Sequence, residues 1–163
     1  MAEHQDVVLV YLPMSQVNFP AMALSLFKAL LKNQGISSVV DYANMYFYQQ
    51  IGKEKYTIIT GSHCATMLGE CVFQPAAFPG KSIDWDGYYQ YILANPPIAE
   101  SRYLQKEELL ECQQAAIDFI EETAERIMSF SPKIVAIGTM FQQNNALFAL
   151  VKALRRRSSE LVI

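Results

Sequence analysis

Phosphate-cradling glycine loops are missing from this sequence. No G-x-G-x-x-G follows its first apolar run and no G-x-x-x-x-G-K-[ST] occurs anywhere in its 163 residues, so the backbone nests of dinucleotide and P-loop sites are excluded. An excess of positive charge is missing too. The 13 Lys and Arg stand against 16 Asp and Glu, for a net charge of -3, which gives no long-range attraction for a phosphate backbone and argues against a nucleic-acid partner. Arg155, Arg156 and Arg157 form the one basic run and read as a solvated helix end that complements the helix dipole.

Cysteine and histidine are equally sparse. Cys64, Cys71 and Cys112 are an odd number at spacings that match neither a zinc ribbon nor a thiol redox motif, which leads us to expect a reduced, cytoplasmic protein. His4 and His63 have no further ligand at metal-binding spacing, so no metal site is expected. His63 beside Cys64 could be half of a nucleophile pair, but no orienting acid is evident. No paired acid and base can be placed, so the chain alone is not expected to be catalytic. The polar start, Met1 to Asp6, leads straight into an apolar run without the basic and long apolar regions of a signal peptide. No segment approaches the roughly 20 uncharged residues of a membrane helix, so no membrane association is expected.

What is present is apolar surface. At 52% hydrophobic, 12% aromatic and 18% charged, the chain can bury a core without staples, and its length fits one domain over residues 1–163. Val7 to Leu12, closed by Pro13, reads as a strand buried on both faces. Pro20 can open a helix whose core face is Ala23, Leu26, Phe27, Leu30 and Leu31, with Gly35 as its left-handed cap. Ile36 to Tyr42 is a second strand, completing a right-handed parallel crossover unit. Asn44 to Gln50 reads as a short helix.

From about Lys53 to Arg102 the periodicity weakens and aromatics accumulate, among them Tyr56, Phe73, Trp85, Tyr88 and Tyr89. This insertion is expected to form short helices over the sheet or its ligand face. Gln105 to Phe130 is the longest helical pattern, ended by Ser131 and Pro132. Lys133 to Gly138 reads as a third buried strand, Gln142 to Arg157 as a third main helix, and Leu161 to Ile163 as the opening of a fourth strand. The expectation is an α/β, Rossmann-like parallel sheet flanked by helices and truncated before its later strands; the alternative is a short domain whose last residues pair at the sheet edge. An incomplete sheet leaves an open edge and uncovered apolar surface, so a homodimer of the isolated chain is expected.

In open parallel sheets ligands bind beyond the carboxyl ends of the strands, which singles out two loops. The first carries Met14, Ser15 and Gln16, and the second carries Gly138, Thr139, Met140, Phe141, Gln142, Gln143 and Asn144. Met14, Phe19, Met140 and Phe141 offer an apolar floor, and the hydroxyls and amides offer neutral donors and acceptors, which suit a large amide-bearing ligand better than a phosphate. The competing reading is that the apolar residues fill the core while Thr139 or Asn144 caps the next helix.

Several segments together resemble the N-terminal part of the radical S-adenosylmethionine enzymes that mature ribosomally made peptides. They are Val7–Pro13, Phe19–Leu24, Leu30–Ile36, Tyr42–Phe47, Gly69–Phe73 with Ala76–Phe78, and Phe141-Gln142-Gln143-Asn144. The match covers most of the chain in the same order. It implies a cobalamin-binding domain of doubly wound α/β type ahead of a barrel holding an iron–sulfur cluster and S-adenosylmethionine, in enzymes similar to C-methyltransferases acting on peptide carbons. The C-x-x-x-C-x-x-C cluster motif is absent, so cluster and S-adenosylmethionine would belong to a downstream radical domain that this chain lacks. The D-x-H-x-x-G signature is absent as well, which leaves cobalamin without a histidine ligand from this chain. Cys71 stands where the family more often has a bulky aromatic residue. The resemblance implies a cofactor-binding part of a peptide-modifying enzyme, with the peptide substrate as partner. The other expectation is a peptide-recognition or interaction domain of the same fold that has lost the cofactor, for which the aromatic insertion speaks.

Overall fold

The computed structural model describes residues 3–96 and 103–163. Three parallel strands make the sheet in the order β2-β1-β3: β1 is Val7–Tyr11, β2 Ser38–Asp41 and β3 Ile134–Gly138. Val7 pairs in register with both Ser38 and Ile134. A parallel bridge from Ile134 to Val162 begins a fourth position beside β3. The fold is therefore the expected α/β, Rossmann-like arrangement, and β1, with four buried residues in succession, is its centre.

The connection from β1 to β2 is α1, Met22–Asn33. It ends in a Schellman motif: Ile36 N–H reaches Leu31 C=O and Gly35 N–H reaches Lys32 C=O, with Gly35 at φ +70°, a conformation only glycine adopts cheaply. Pro20 lies ahead of the helix, whose cap residue is Ala21. From β2 to β3 the chain builds a second layer. It contains α2 (Ala43–Ile51), α3 (Lys53–Gly61), a 3-10 turn at Cys64–Thr66, α4 (Leu68–Ala77), α5 (Trp85–Ala94) and the long α6, Lys106–Met128. A capping box between Gln105 and Glu108 starts α6. After β3 comes α7, Asn144–Arg157. The insertion from Lys53 forms short helices, as expected, except that its last residues, 97–102, lie outside those described.

The insertion is not an appendage, because α4 packs against both α6 and α7 and contributes Leu68, Val72 and Phe73 to the main core. Phe47 of α2, Phe73 of α4 and Phe119 of α6 form its aromatic centre, with ring centroids 4.9 Å from Phe47 to each of the other two. At the edge, Arg126 of α6 holds the buried Asp41 of β2 through two bonds of 2.7 and 3.1 Å and lies 4.0 Å from the Tyr46 ring.

Two sequence expectations need correction. The third strand is buried on one face only: Val135 is buried, whereas Ile134, Ala136 and Gly138 on the other face are exposed. And α1 meets the sheet through Leu24 and Leu31, beside Val7, Leu9 and Val40; of the face the apolar spacing marked, Leu31 takes part and Ala23, Leu26, Phe27 and Leu30 do not. Leu26, Phe27 and Leu30 are 63%, 57% and 52% exposed. At about 100° per residue, Leu26 and Leu30 turn away from the line of Leu24 and Leu31 that meets the sheet. Among the described residues nothing covers this flank or the exposed face of β3.

Candidate functional site: the cleft between the β1 and β3 loops

The chain leaves β1 toward α1 on one face of the sheet and leaves β3 toward α7 on the other. The carboxyl ends of β1 and β3 therefore form the topological switch point, where a crevice opens in sheets of this kind. A cleft of about 330 Å³ lies there, lined by Tyr11, Met14, Ser15, Gln16, Phe19, Thr60, Met140, Phe141 and Gln142. None of these side chains is charged.

Its walls are fixed by buried polar contacts. The Tyr56 hydroxyl of α3 accepts from Met14 N–H at 3.0 Å and donates to Ser15 C=O at 2.7 Å, which holds Met14 at φ +69°. Burial pushes the Tyr56 phenol well above its ordinary range, so it stays protonated and keeps this donor. Gln143 ties the two loops together. Its Nε2 donates to Pro13 C=O at 2.9 Å and Ser15 Oγ at 2.6 Å, and its Oε1 accepts from Met140 N–H at 2.7 Å.

Gln142, at φ +66°, accepts through Oε1 from Gly69 N–H at 2.7 Å. The two backbones approach so closely that a Cβ on Gly69 would lie 2.6 Å from Gln142 O and 2.9 Å from Met14 Cγ. The next residue, Glu70, caps α7 from outside: its carboxylate accepts from Asn144 N–H at 3.0 Å and Asn145 N–H at 2.8 Å, satisfying donors that no residue of α7 reaches. Asn145 Nδ2 in turn donates to Glu70 C=O at 2.9 Å.

Of the residues singled out from sequence, Met14, Ser15, Gln16, Met140, Phe141 and Gln142 line the cleft. Gly138 and Thr139 are exposed on the β3 side but do not line it, Gln143 is buried behind the wall, and Asn144 faces Glu70. The capping role considered for Thr139 or Asn144 belongs to Glu70 instead. Met14 is buried, whereas Phe19, Met140 and Phe141 are 64%, 70% and 55% exposed, so three of the four proposed floor residues do not fill the core. Sequence reading missed Tyr11 and Thr60 in the lining. Tyr56 stood out only as an insertion aromatic and Gly69 and Glu70 only through the resemblance; their supporting contacts carried no local signal, since the partners lie 41 or more positions away.

The other candidate chemistry fares poorly. His63 Nδ1 accepts from Ala65 N–H at 3.2 Å and caps the 3-10 turn. Burial raises the thiols of Cys71 and Cys112 to about 11, which leaves both protonated and poor nucleophiles at neutral pH. Among the described residues no group of three or more His, Cys, Asp or Glu gathers to hold a metal ion, and no helix is long and apolar enough to cross a membrane. No protein-family model, curated protein or solved structure matches the chain.

Proposed function

We propose that this chain binds cobalamin at the switch-point cleft, as the N-terminal cofactor-binding domain of a cobalamin-dependent radical S-adenosylmethionine enzyme that C-methylates a ribosomally made peptide. One observation carries the reading. The Gly69-Glu70 and Gln142–Asn144 segments, both part of the family resemblance, interlock to build one wall of an open, uncharged cleft where this topology binds ligands. The side chains present fit the group. Phe19, Met140 and Phe141 offer exposed apolar surface to a wide ring, and Gln16, Ser15 and Thr60 offer neutral hydrogen-bonding groups to its amide arms. Bound cobalamin would supply a transferable methyl group, while the residues of this chain bind the ring, orient it and keep water from its covered face.

The test uses the full chain. Hydroxocobalamin is added in excess, free cofactor is removed by desalting, and retained corrin is measured by visible absorbance. About one equivalent is expected in the parent and little in the double variant Met140→Asp, Phe141→Asp, whose exposed positions leave the fold intact by circular dichroism. No retention by the parent would overturn the reading. Substituting Gln142 or Gln143 is a poorer probe, because both are buried in the wall.

A second reading is a peptide-recognition domain that has lost the cofactor, and one observation favours it: the amides of Gln142, Gln143 and Asn145 are already engaged within the chain. It expects no corrin retention together with a saturable change in Trp85 fluorescence on adding the precursor peptide. Trp85 sits against Tyr88 and Tyr89 at 5.9 and 6.3 Å and would report binding to the insertion.

A further inference from the structure

Asn44 is the second residue of α2, at the carboxyl end of β2. It is 2% exposed, and its Oδ1 is buried without a hydrogen-bond partner. Native structures seldom leave such an acceptor unpaired, since desolvating it is costly. The residue lines a second cleft of about 330 Å³, with Tyr11, Phe19, Tyr42 and Met45 among its walls and no charged side chain. Tyr11 and Tyr42 meet edge-on there at 6.3 Å. Helix α2 has no side-chain cap and no acidic residue in its first turn; Met45 N–H is taken by Tyr42 C=O at 2.9 Å, so the N–H groups of Ala43 and Asn44 and the positive end of the dipole lie beside the orphan amide. Tyr11 and Phe19 line the switch-point cleft too, which makes the two clefts neighbours at the β1 loop.

We infer that this second cleft is a subsite for a neutral carboxamide of the bound ligand, which donates N–H to Asn44 Oδ1 and accepts at its carbonyl from the first turn of α2. The lining selects among functional groups. A carboxylate or an ester brings no hydrogen to Oδ1, and an ammonium brings no acceptor and faces the positive end of the helix. A carboxamide supplies both halves, and its flat group fits between aromatic walls. The inference extends the proposed cofactor cleft, and it rests on that reading for the corrin periphery as the source of the amide; a peptide backbone is the other source of the same chemistry.

The experiment titrates the full chain with benzamide, and with methyl benzoate as a control lacking the donor, following binding by saturation-transfer nuclear magnetic resonance. Hydroxocobalamin retention is measured in parallel. Benzamide is expected to bind about tenfold more tightly than methyl benzoate, the worth of one well-made hydrogen bond. That preference should vanish in Asn44→Leu and survive in Asn44→Asp, which keeps an acceptor. If the corrin supplies the amide, Asn44→Leu also lowers cobalamin retention about tenfold. Benzamide discrimination in a parent that retains no cobalamin would remove the cofactor reading and leave the subsite standing, with the peptide as source. Equal binding of the two probes, or an unchanged preference in Asn44→Leu, would mean that Asn44 holds only a structural water, and would overturn the inference.

Discussion

The two faces of the sheet are built from the same three strands and differ in almost everything else. On one face Val8, Val10 and Val135 are sealed under α2, α4, α6 and α7, with fully buried aromatics at the centre. On the other, among the described residues, Val7 and Leu9 are covered by α1 and the segment leading into it, and β3 is bare. The lesson is that stability and accessibility are divided between the faces. One layer supplies most of the burial that holds the chain together, and the cleft opens at the strand ends where the packed and open sides meet.

That contrast can be broken by substitution, read as unfolding midpoints in urea followed by circular dichroism. The largest effect is expected for Phe47→Ala, which empties the aromatic centre of the packed face and should cost about 3–5 kcal/mol. Next comes Gly69→Ala. Its new Cβ would collide with the backbone of Gln142, an overpacking that costs about 1–3 kcal/mol, whereas Gly61→Ala, with nothing within 4 Å, should leave the midpoint nearly unchanged. Glu70→Ala removes the borrowed cap of α7 and should cost about 1 kcal/mol, with hydrogen exchange quickening at Asn144 and Asn145 ahead of the rest of the helix. The smallest effect is expected on the open face, where Leu26→Ser should stay within about 0.5 kcal/mol of the parent. A loss at Leu26 as large as that at Phe47 would mean that the flank of α1 is covered in solution and would erase the difference between the faces.

How much of this was legible in the sequence follows the same division. The β1 strand, the long α6 and the parallel order could be read because an unbroken apolar run, a 3.6-residue period and the crossover rule are local or nearly local signals. The open face could not. A run such as Ile134–Ile137 looks the same whether one or both of its faces are covered, and α1 is apolar around so much of its circumference that spacing picked out Leu31 but missed Leu24. At the site, the switch-point rule located the two loops, but not which of their residues face solvent. Gln143 reads as an available donor until Pro13 and Ser15 are seen to occupy it, and Asn44 was passed over because nothing local marks an amide that will be buried without a partner.

The clasp formed by Gln143 also sets an order of events during synthesis. Its contacts with Pro13 and Ser15 join residues 130 and 128 positions apart, and Gln142 reaches back 73 positions to Gly69. While the ribosome is still making α6, β1 and β2 can already pair, yet the loop after β1 has no clasp and the cap of α7 has nothing to cap. Contacts of such long sequence separation close late and slowly. The nascent chain therefore passes through a stage in which Glu70 stands unpaired and the β1 loop has its Tyr56 contacts but not those of Gln143, and the cleft takes shape only when the segment after β3 emerges.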